Sequence, residues 1–525
     1  MSKLKISMLC AMALLLGQIL SAQSWQFVGP RAMGMGGAGV ATAYGPDAQY
    51  WNPAGLTQDE DLNETGLLIN AGVSLEASKN ILEVIHSLSD MSDKYKALQN
   101  DINSNNVVTA SDISTIFAGL NDISKLVSNK TGALVNADVG LGFKYKNFSV
   151  SSRALGNAAV RPVIDTANIQ FNTGGSGLSI GTNVSNPGTA YSAAASTIQN
   201  VIDTYGLLPA IQSLIGDTTA TNSTELAYQI INAVNSYGGV TVAEIEDMAN
   251  TVAANASGAS EILNQYATAT GSYEDNETLA MADVAAFGEV SLGYGNRVFP
   301  GVKIGGNIKV ISGYTAETGI MVLKDNEKFA DILDKANKNK QNTNNWAIDL
   351  GALVNFSELF GKDIFWNPQI GLTARNINGP KFDRPAAPAG TDPAVIAQWN
   401  SNKYQLKPQV RAGVSANPFK WMTLAADIDL TENDTLLDSI KSRQLALGME
   451  INIVNSQKFN MPLRIGYNKN LAESSLAPFY TAGIGFDMLH FFIELAAAVS
   501  TETTELDGNK IPSSAAASLT FGFLF

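Results

Sequence analysis

The chain repeats segments of about ten residues in which apolar and polar side chains alternate, and this period of two limits what it can fold into. In "GLLINAGVSL", Leu67, Ile69, Ala71, Val73 and Leu75 share one face, with Asn70, Gly72 and Ser74 on the other. "VNADVGLGFKY" sets Val135, Ala137, Val139, Leu141, Phe143 and Tyr145 against Asn136, Asp138, Gly140, Gly142 and Lys144. "RQLALGMEINI" sets Leu445, Leu447, Met449, Ile451 and Ile453 against Gln444, Gly448, Glu450 and Asn452. Segments of this length and pattern suit membrane-spanning barrel strands. A soluble β-sandwich also alternates, so the pattern alone leaves two architectures open.

The connections separate them. The segments number 14, an even count, and the links between them alternate short and long without exception. Short ones fall at Lys146–Asn147, Gly295–Gly301, Ser357–Trp366, Asn417–Lys420, Val454–Lys458 and Met488. Long ones span 76–133, 155–284, 313–344, 378–406, 431–441, 469–478 and 500–514. Short turns at one end and long loops at the other are what an outer-membrane barrel shows, and a sandwich has no reason to keep that parity. The expectation is an all-β transmembrane barrel of about 14 antiparallel strands, occupying residues 63–525. No segment offers the 18 or more apolar residues of a spanning helix.

The first residues, "MSKLKISMLCAMALLLGQILSAQSWQ", read as a cleaved secretory signal over residues 1–24. Lys3 and Lys5 form its basic region, Ile6–Leu16 its apolar region, and Ser21–Ser24 the cleavage site. Cleavage removes Cys10, the single cysteine, and takes the formal charge from −14 to −16 by removing two lysines. No disulfide or thiol chemistry is then expected, and the acidic balance argues against a nucleic-acid partner.

Between signal and first strand lies "RAMGMGGAGVATAYGPDAQYWNPAGL". Gly34, Gly36 and Gly39 spell G-x-G-x-x-G, the spacing of a dinucleotide loop, with Gly37 beside them. Such a loop needs a strand before the first glycine and a helix after the last, and there is no room here for the strand. The glycines instead suit a compact segment packed tightly against a wall. The stretch resembles the N-terminal segment of the FadL/TodX family of hydrophobic-compound transporters, 14-stranded barrels whose segment before the first strand plugs the lumen and carries Asn-Pro-Ala. That signature falls on Asn52, Pro53 and Ala54. "RAMGMGGAGVA" also looks like the PorV-type and TraF-like barrel families, and the helical insertions make the TraF-like, plasmid-transfer branch the best match. The resemblance implies that residues 25–62 form a plug.

The insertions 76–133 and 155–284 are too long to be structureless in a compact protein. Apolar residues recur at helical spacing at Ile81, Val84, Ile85 and Leu88, and at Ile113, Ile116, Phe117 and Leu120. The pattern returns at Ile198, Val201, Ile202 and Tyr205, at Ala227, Ile230, Ile231 and Val234, and at Ile245, Met248, Ala249 and Val252. Thr109 with Asp112 and Thr241 with Glu244 have the spacing of capping boxes, and Gly238–Gly239 stops one helix. Between the third and fourth strands, "NTGGSGLSIGTNVSNPG" reads as a flexible connector. These stripes either pack on one another as a cap or leave a groove for a lipid or partner helix.

If the apolar set faces lipid, Arg375, Arg411, Asp427, Asp429, Glu450, Arg464, Asp487 and Glu494 point into the lumen, where they either line a path or pair with one another. The final strand "ASLTFGFLF" puts Phe521, Phe523 and the last residue, Phe525, on one face and resembles the signal read by the outer-membrane assembly machinery. His86 and His490 are the two histidines, too few and too separated for a metal cluster, and no nucleophile has a triad or elbow context. Neither an enzyme nor a cofactor is expected. Two functions follow: uptake of a hydrophobic ligand through a plugged channel in the outer membrane of a Gram-negative-type bacterium, or a scaffold in secretion or conjugation that binds a protein partner through its helical insertions.

Overall fold

The computed structural model describes residues 25–57, 65–77, 132–165, 180–215, 219–236, 240–266, 275–321, 335–387, 403–437, 440–456, 459–474, 476–506 and 509–524, with isolated positions between these spans. Fourteen strands form one closed antiparallel barrel. In chain order they are β1 (Thr65–Ala77), β2 (Ala133–Tyr145), β3 (Phe148–Val163), β4 (Leu279–Phe299), β5 (Val302–Met321), β6 (Gln341–Asn355) and β7 (Gln369–Arg375). Then come β8 (Gln409–Phe419), β9 (Met422–Asp429), β10 (Gln444–Asn455), β11 (Phe459–Asn470), β12 (Phe479–Met488), β13 (Phe491–Ser500) and β14 (Ser514–Leu524). Each pairs with its sequence neighbour, and β14 closes on β1 from Gly66 opposite Leu524 to Glu76 opposite Ser514.

Alternation sorts the side chains as the sequence implies. Leu67, Ile69, Val73 and Leu75 are exposed on the outside of β1, while Leu68, Asn70 and Ser74 are buried inside. Val139, Leu141 and Phe143 on β2 and Val290, Leu292 and Tyr294 on β4 continue the apolar belt. In a bilayer this belt meets hydrocarbon, and the closed sheet leaves no backbone edge unpaired there.

The long–short parity holds, with shifted boundaries. The first turn is Lys146–Asn147, and the second shrinks from Gly295–Gly301 to Pro300–Gly301, where Gly301 has φ 75°. The last turn is Leu489–His490 in place of Met488. The larger correction concerns β3, β4 and β5, which have 16, 21 and 20 residues, against the roughly 9–11 that a span requires. Residues 155–163 and 279–284 therefore belong to strands, and the second insertion runs over 164–278. From Leu279 to Phe287 both faces of β4 are buried, so the polar half of the alternation disappears and the strand signal with it.

That insertion is helical: α1 (Ser192–Tyr205), α2 (Leu208–Ile215), α3 (Ser223–Ser236) and α4 (Val242–Tyr266). Ile198, Val201 and Ile202 pack with Ala227, Ile230, Ile231 and Val234 and with Ile245, Met248, Ala249 and Val252 in one buried core. Tyr205 lies outside it, and α2 has no counterpart in the sequence reading. Phe117, with Ile113 and Leu120 against it, joins the core from the first insertion. The stripe at 81–88, the Thr109–Asp112 box, Gly238–Gly239 and residues 172–179 of the connector lie outside the described residues. Asp165 ties the neck of the insertion: its carboxylate accepts from the backbone N–H groups of Ala167, Asn168 and Glu277, joining the two ends of the insertion.

Two helix starts are capped reciprocally. Thr241 Oγ1 accepts from Glu244 N (3.3 Å), and Glu244 Oε2 accepts from Thr241 N (2.7 Å). Asn222 Oδ1 accepts from Glu225 N (2.9 Å), while Glu225 Oε2 accepts from Thr221 N (2.7 Å). These bonds, the backbone ones first, hold both carboxyls below the usual glutamate value of 4.5. Because the folded value is the lower, the stabilisation is present above pH 4.5 and disappears as pH falls through the depressed value. Hydrogen exchange corrected for its intrinsic rate should show α3 and α4 losing protection below pH 4.5. Replacing both residues (Glu225→Gln with Glu244→Gln) should flatten that loss. An unchanged pH profile in the double variant would remove the caps as its cause.

Candidate functional site

A closed barrel of 14 strands encloses more room than its inward side chains fill. Residues 25–57 lie inside it, almost all buried. Short helices at Pro30–Gly34 and Ala48–Trp51 and a 3-10 turn at Pro53–Thr57 fold the segment compactly. Its backbone polar groups are out of reach of bulk water and find partners on the wall.

The glycine-rich stretch meets β9 to β12. Asp427 Oδ2 accepts from the N–H groups of Gly39 (2.8 Å) and Val40 (2.9 Å). Thr481 Oγ1 accepts from Gly36 N (3.0 Å) and donates to Gly34 O (2.9 Å), and Asn468 Nδ2 donates to Gly36 O (2.8 Å). Gly36 has φ 70°, and a side chain there would strike the Tyr467 carbonyl. Gly466 answers it from the wall, where a Cβ would overlap the Gly36 nitrogen. Close approach thus needs glycine on both sides. Arg411 Nη1 donates to Gly37 O (3.3 Å) while Arg411 pairs with Asp429.

Asn52 closes the other half. Its Nδ2 donates to Val40 O and to Ala352 O on β6, both at 3.0 Å, and its Oδ1 accepts from Ala54 N (3.1 Å). One side chain therefore joins the two halves of the segment, the wall and the turn that follows. Pro53 lies against Gly305 and Gly351, where the wall again has no side chain.

Every lumen charge named from the sequence points inward, and most are engaged. Arg31 Nε (3.0 Å) and Nη2 (3.2 Å) bind the two oxygens of Glu450. Arg464 bridges Glu450 (2.7 Å) and Glu494 (2.6 Å). Arg375 stacks on Tyr50, its guanidinium carbon 4.0 Å from the ring centroid, and Arg411 lies 4.7 Å over Trp25. Desolvated contacts of this kind contribute roughly 2 kcal/mol each. Asp487 stands apart, with one hydrogen bond, from Asn460 Nδ2.

The sequence reading missed several partners. Arg153 contacts Asp47 (3.2 Å) and Asp138 (3.6 Å), and Lys309 contacts Asp349 (3.2 Å) and Glu289 (3.6 Å). These wall residues obey the same inward parity, which extended to every strand would have found them. Trp25, Tyr50 and Trp51, mutually packed at 5.3–5.9 Å, carry no periodic signal. Toward the long-loop end the inner face carries an apolar layer, with Arg161–Asp283 and Arg384–Glu317 paired beyond it. Leu134, Phe287 and Ile311 are covered by infolded loop residues Phe382, Tyr404, Leu437 and Ile440. Phe521 and Phe523 sit away from the lumen, against Phe491, and Phe525 lies outside the described residues.

The family model described as "F plasmid transfer operon, TraF, protein" matches residues 49–429. The chain belongs to this TraF family. In this TraF-family chain the match takes in Asn52, Pro53 and Ala54 and ends on Asp429, and the glycine-rich stretch precedes it. No curated protein matches the sequence. Among solved structures it is similar to the Ralstonia pickettii toluene transporter TbuX, at 9% identity over 95% of this chain and 98% of that one, TM-score 0.40. It is also similar to the P. putida toluene transporter TodX, at 8% identity over 96% and 99%, TM-score 0.39, and to a Pseudomonas aeruginosa FadL homologue, at 8% over 96% and 98%, TM-score 0.35.

Replacing Asp427 by alanine strands the Gly39 and Val40 N–H groups, at about 1–3 kcal/mol each. The Asp427→Ala barrel should still assemble, with faster hydrogen exchange across residues 34–42. Parental exchange there would mean the carboxylate does not hold the segment.

Proposed function

We propose that this protein is an outer-membrane channel for small hydrophobic molecules, with its own residues 25–62 as a plug. Residues 1–24 are the export signal, and the terminal strand with Phe521, Phe523 and Phe525 is the element recognised during assembly. The observation that carries the substrate class is the change of lumen chemistry along the axis. Around the segment the wall is charged and paired, whereas toward the loop end it carries an apolar layer, from Phe287 and Ile311 to Phe382 and Leu437, capped by the pairs Arg161–Asp283 and Arg384–Glu317. An apolar layer favours apolar solutes and gives hydrated ions nothing in return for desolvation. The segment is held by hydrogen bonds and ion pairs, contacts that water can replace, so its release is the gating step on this reading.

A second reading, a scaffold acting in transfer or secretion, is favoured by the helical head. It stands on the tall β3–β5 wall, well beyond a span, and its apolar stripes close on one another, which leaves its polar surface for a protein partner.

Deleting residues 25–57 should leave an assembled, heat-modifiable barrel that admits small hydrophilic solutes faster than the parent. A double change that charges this layer, Phe382→Asp with Leu437→Asp, should slow uptake of a neutral hydrocarbon such as toluene. Unaltered leak in the first and unaltered uptake in the second would discard the channel. Orientation has its own check. From Pro162 through Asn296 the chain has no lysine or arginine, so trypsin has no site in the second insertion, whereas a glutamate-specific protease does, for example at exposed Glu261. Only the latter, added to intact cells, should cut within the second insertion; an insertion protected from it would place the long loops on the periplasmic side.

A further inference from the structure

At the short-turn end of the barrel, opposite the apolar layer, a cavity of about 290 Å³ lies between the N-terminal segment and the last strands. Strand register arranges its wall in two rows. Asn460, Asp487, Phe492, Gly522 and Leu68 run across β11, β12, β13, β14 and β1. One step further in come Glu494 and Thr520, cross-strand partners on β13 and β14. Val28, Arg31 and Tyr44 of the segment face them.

The charges in and around this cavity do not balance. The Arg31 guanidinium is taken up by Glu450 and by the Thr42 carbonyl, and that of Arg464 by Glu450 and Glu494. Asp487 receives one hydrogen bond, from Asn460 Nδ2 at 3.0 Å, and among the described residues no cation stands within ion-pairing distance of it. Deeper in the same cavity, opposite Glu494, Thr520 is 1% exposed, and its hydroxyl has no hydrogen-bond partner. The rest of the lining includes Leu68, Phe491 and Phe492. A partly desolvated carboxylate without a cation, a buried hydroxyl without a partner and an aromatic wall line one cavity.

We propose that this cavity binds a small organic cation, a primary alkyl- or arylammonium. Its nitrogen donates to the Asp487 carboxylate, and its apolar part lies along Phe492 and Leu68. Charge-assisted hydrogen bonds to a carboxylate are about twice as strong as neutral ones, and a ring face beside the nitrogen adds to them. A bare metal ion fits less well: no group of three acidic, histidine or cysteine side chains converges among the described residues, and half the wall is apolar. The inference is independent of the channel reading, since it concerns the other end of the lumen.

The test is calorimetric titration of the purified full-length barrel with hexylammonium chloride at neutral pH, with 1-hexanol as the uncharged control of the same shape. Trp51, which lines the cavity, supplies a second, fluorescence readout. The expected result is saturable binding of the amine, with the alcohol and the Asp487→Asn variant each weaker by about tenfold or more. Equal affinity for amine and alcohol, unchanged affinity in a heat-modifiable Asp487→Asn barrel, or no saturable amine binding by the parent would overturn the proposal. Should Asp487→Asn fail to assemble, Phe492→Leu decides: weakening by a few-fold is expected, and parental affinity overturns it.

Discussion

Closure of the sheet is the constraint from which the rest follows. Once β14 pairs with β1 the barrel has no edge, its apolar alternation can face hydrocarbon all round, and its inner face encloses a space that side chains cannot fill. Whatever occupies that space brings backbone N–H and C=O groups with it, and each must be satisfied by the wall. Asp427, Thr481, Asn468 and Asn52 meet this requirement, each placed on or against an inward strand position. The pairing of Gly36 with Gly466 shows that the fit is mutual: a wall side chain at that point would hold the segment away from the polar atoms that bind it.

The same enclosure governs the charges. An ion moved from water into the lumen loses several kcal/mol of solvation, regained only through well-formed partners. The chain Arg31–Glu450–Arg464–Glu494 meets that condition by linking the segment to three strands, and it makes the seating of the segment and the pairing of the wall one event. Toward the loop end the solution differs: infolded loops contribute Phe382, Tyr404 and Leu437, and burial of apolar area is added to the ion pairs Arg161–Asp283 and Arg384–Glu317. A lumen charged at one level and apolar at the next treats solutes by their chemistry along the axis, whether it conducts them or only resists them.

Much of this was legible in the residues. The period of two in "GLLINAGVSL" and "VNADVGLGFKY", the parity of the connections and the stripe Ile245, Met248, Ala249, Val252 each depend on neighbours within one element, so a single sequence carries them. Thr241 and Glu244 form their cap as spaced. Where both faces of a strand are buried the code falls silent, and for that reason residues 279–284 read as insertion. The Asn222–Glu225 cap went unread because its first residue is neither serine nor threonine.

The sequence by itself determined the strands, their number, which face of each is apolar, and the helical character of the second insertion, because each rests on local periodicity. It also placed Asp427, Glu450, Arg464 and Glu494 on the inner face. Which of them meets which was decided only by tertiary structure. Arg31 and Glu450 lie 419 positions apart, as Gly39 and Asp427 lie 388 apart, and no local rule relates them. They meet because closing the sheet confines the N-terminal segment within a fixed ring of strands, where an unpaired buried charge or N–H costs more than one conformation can bear.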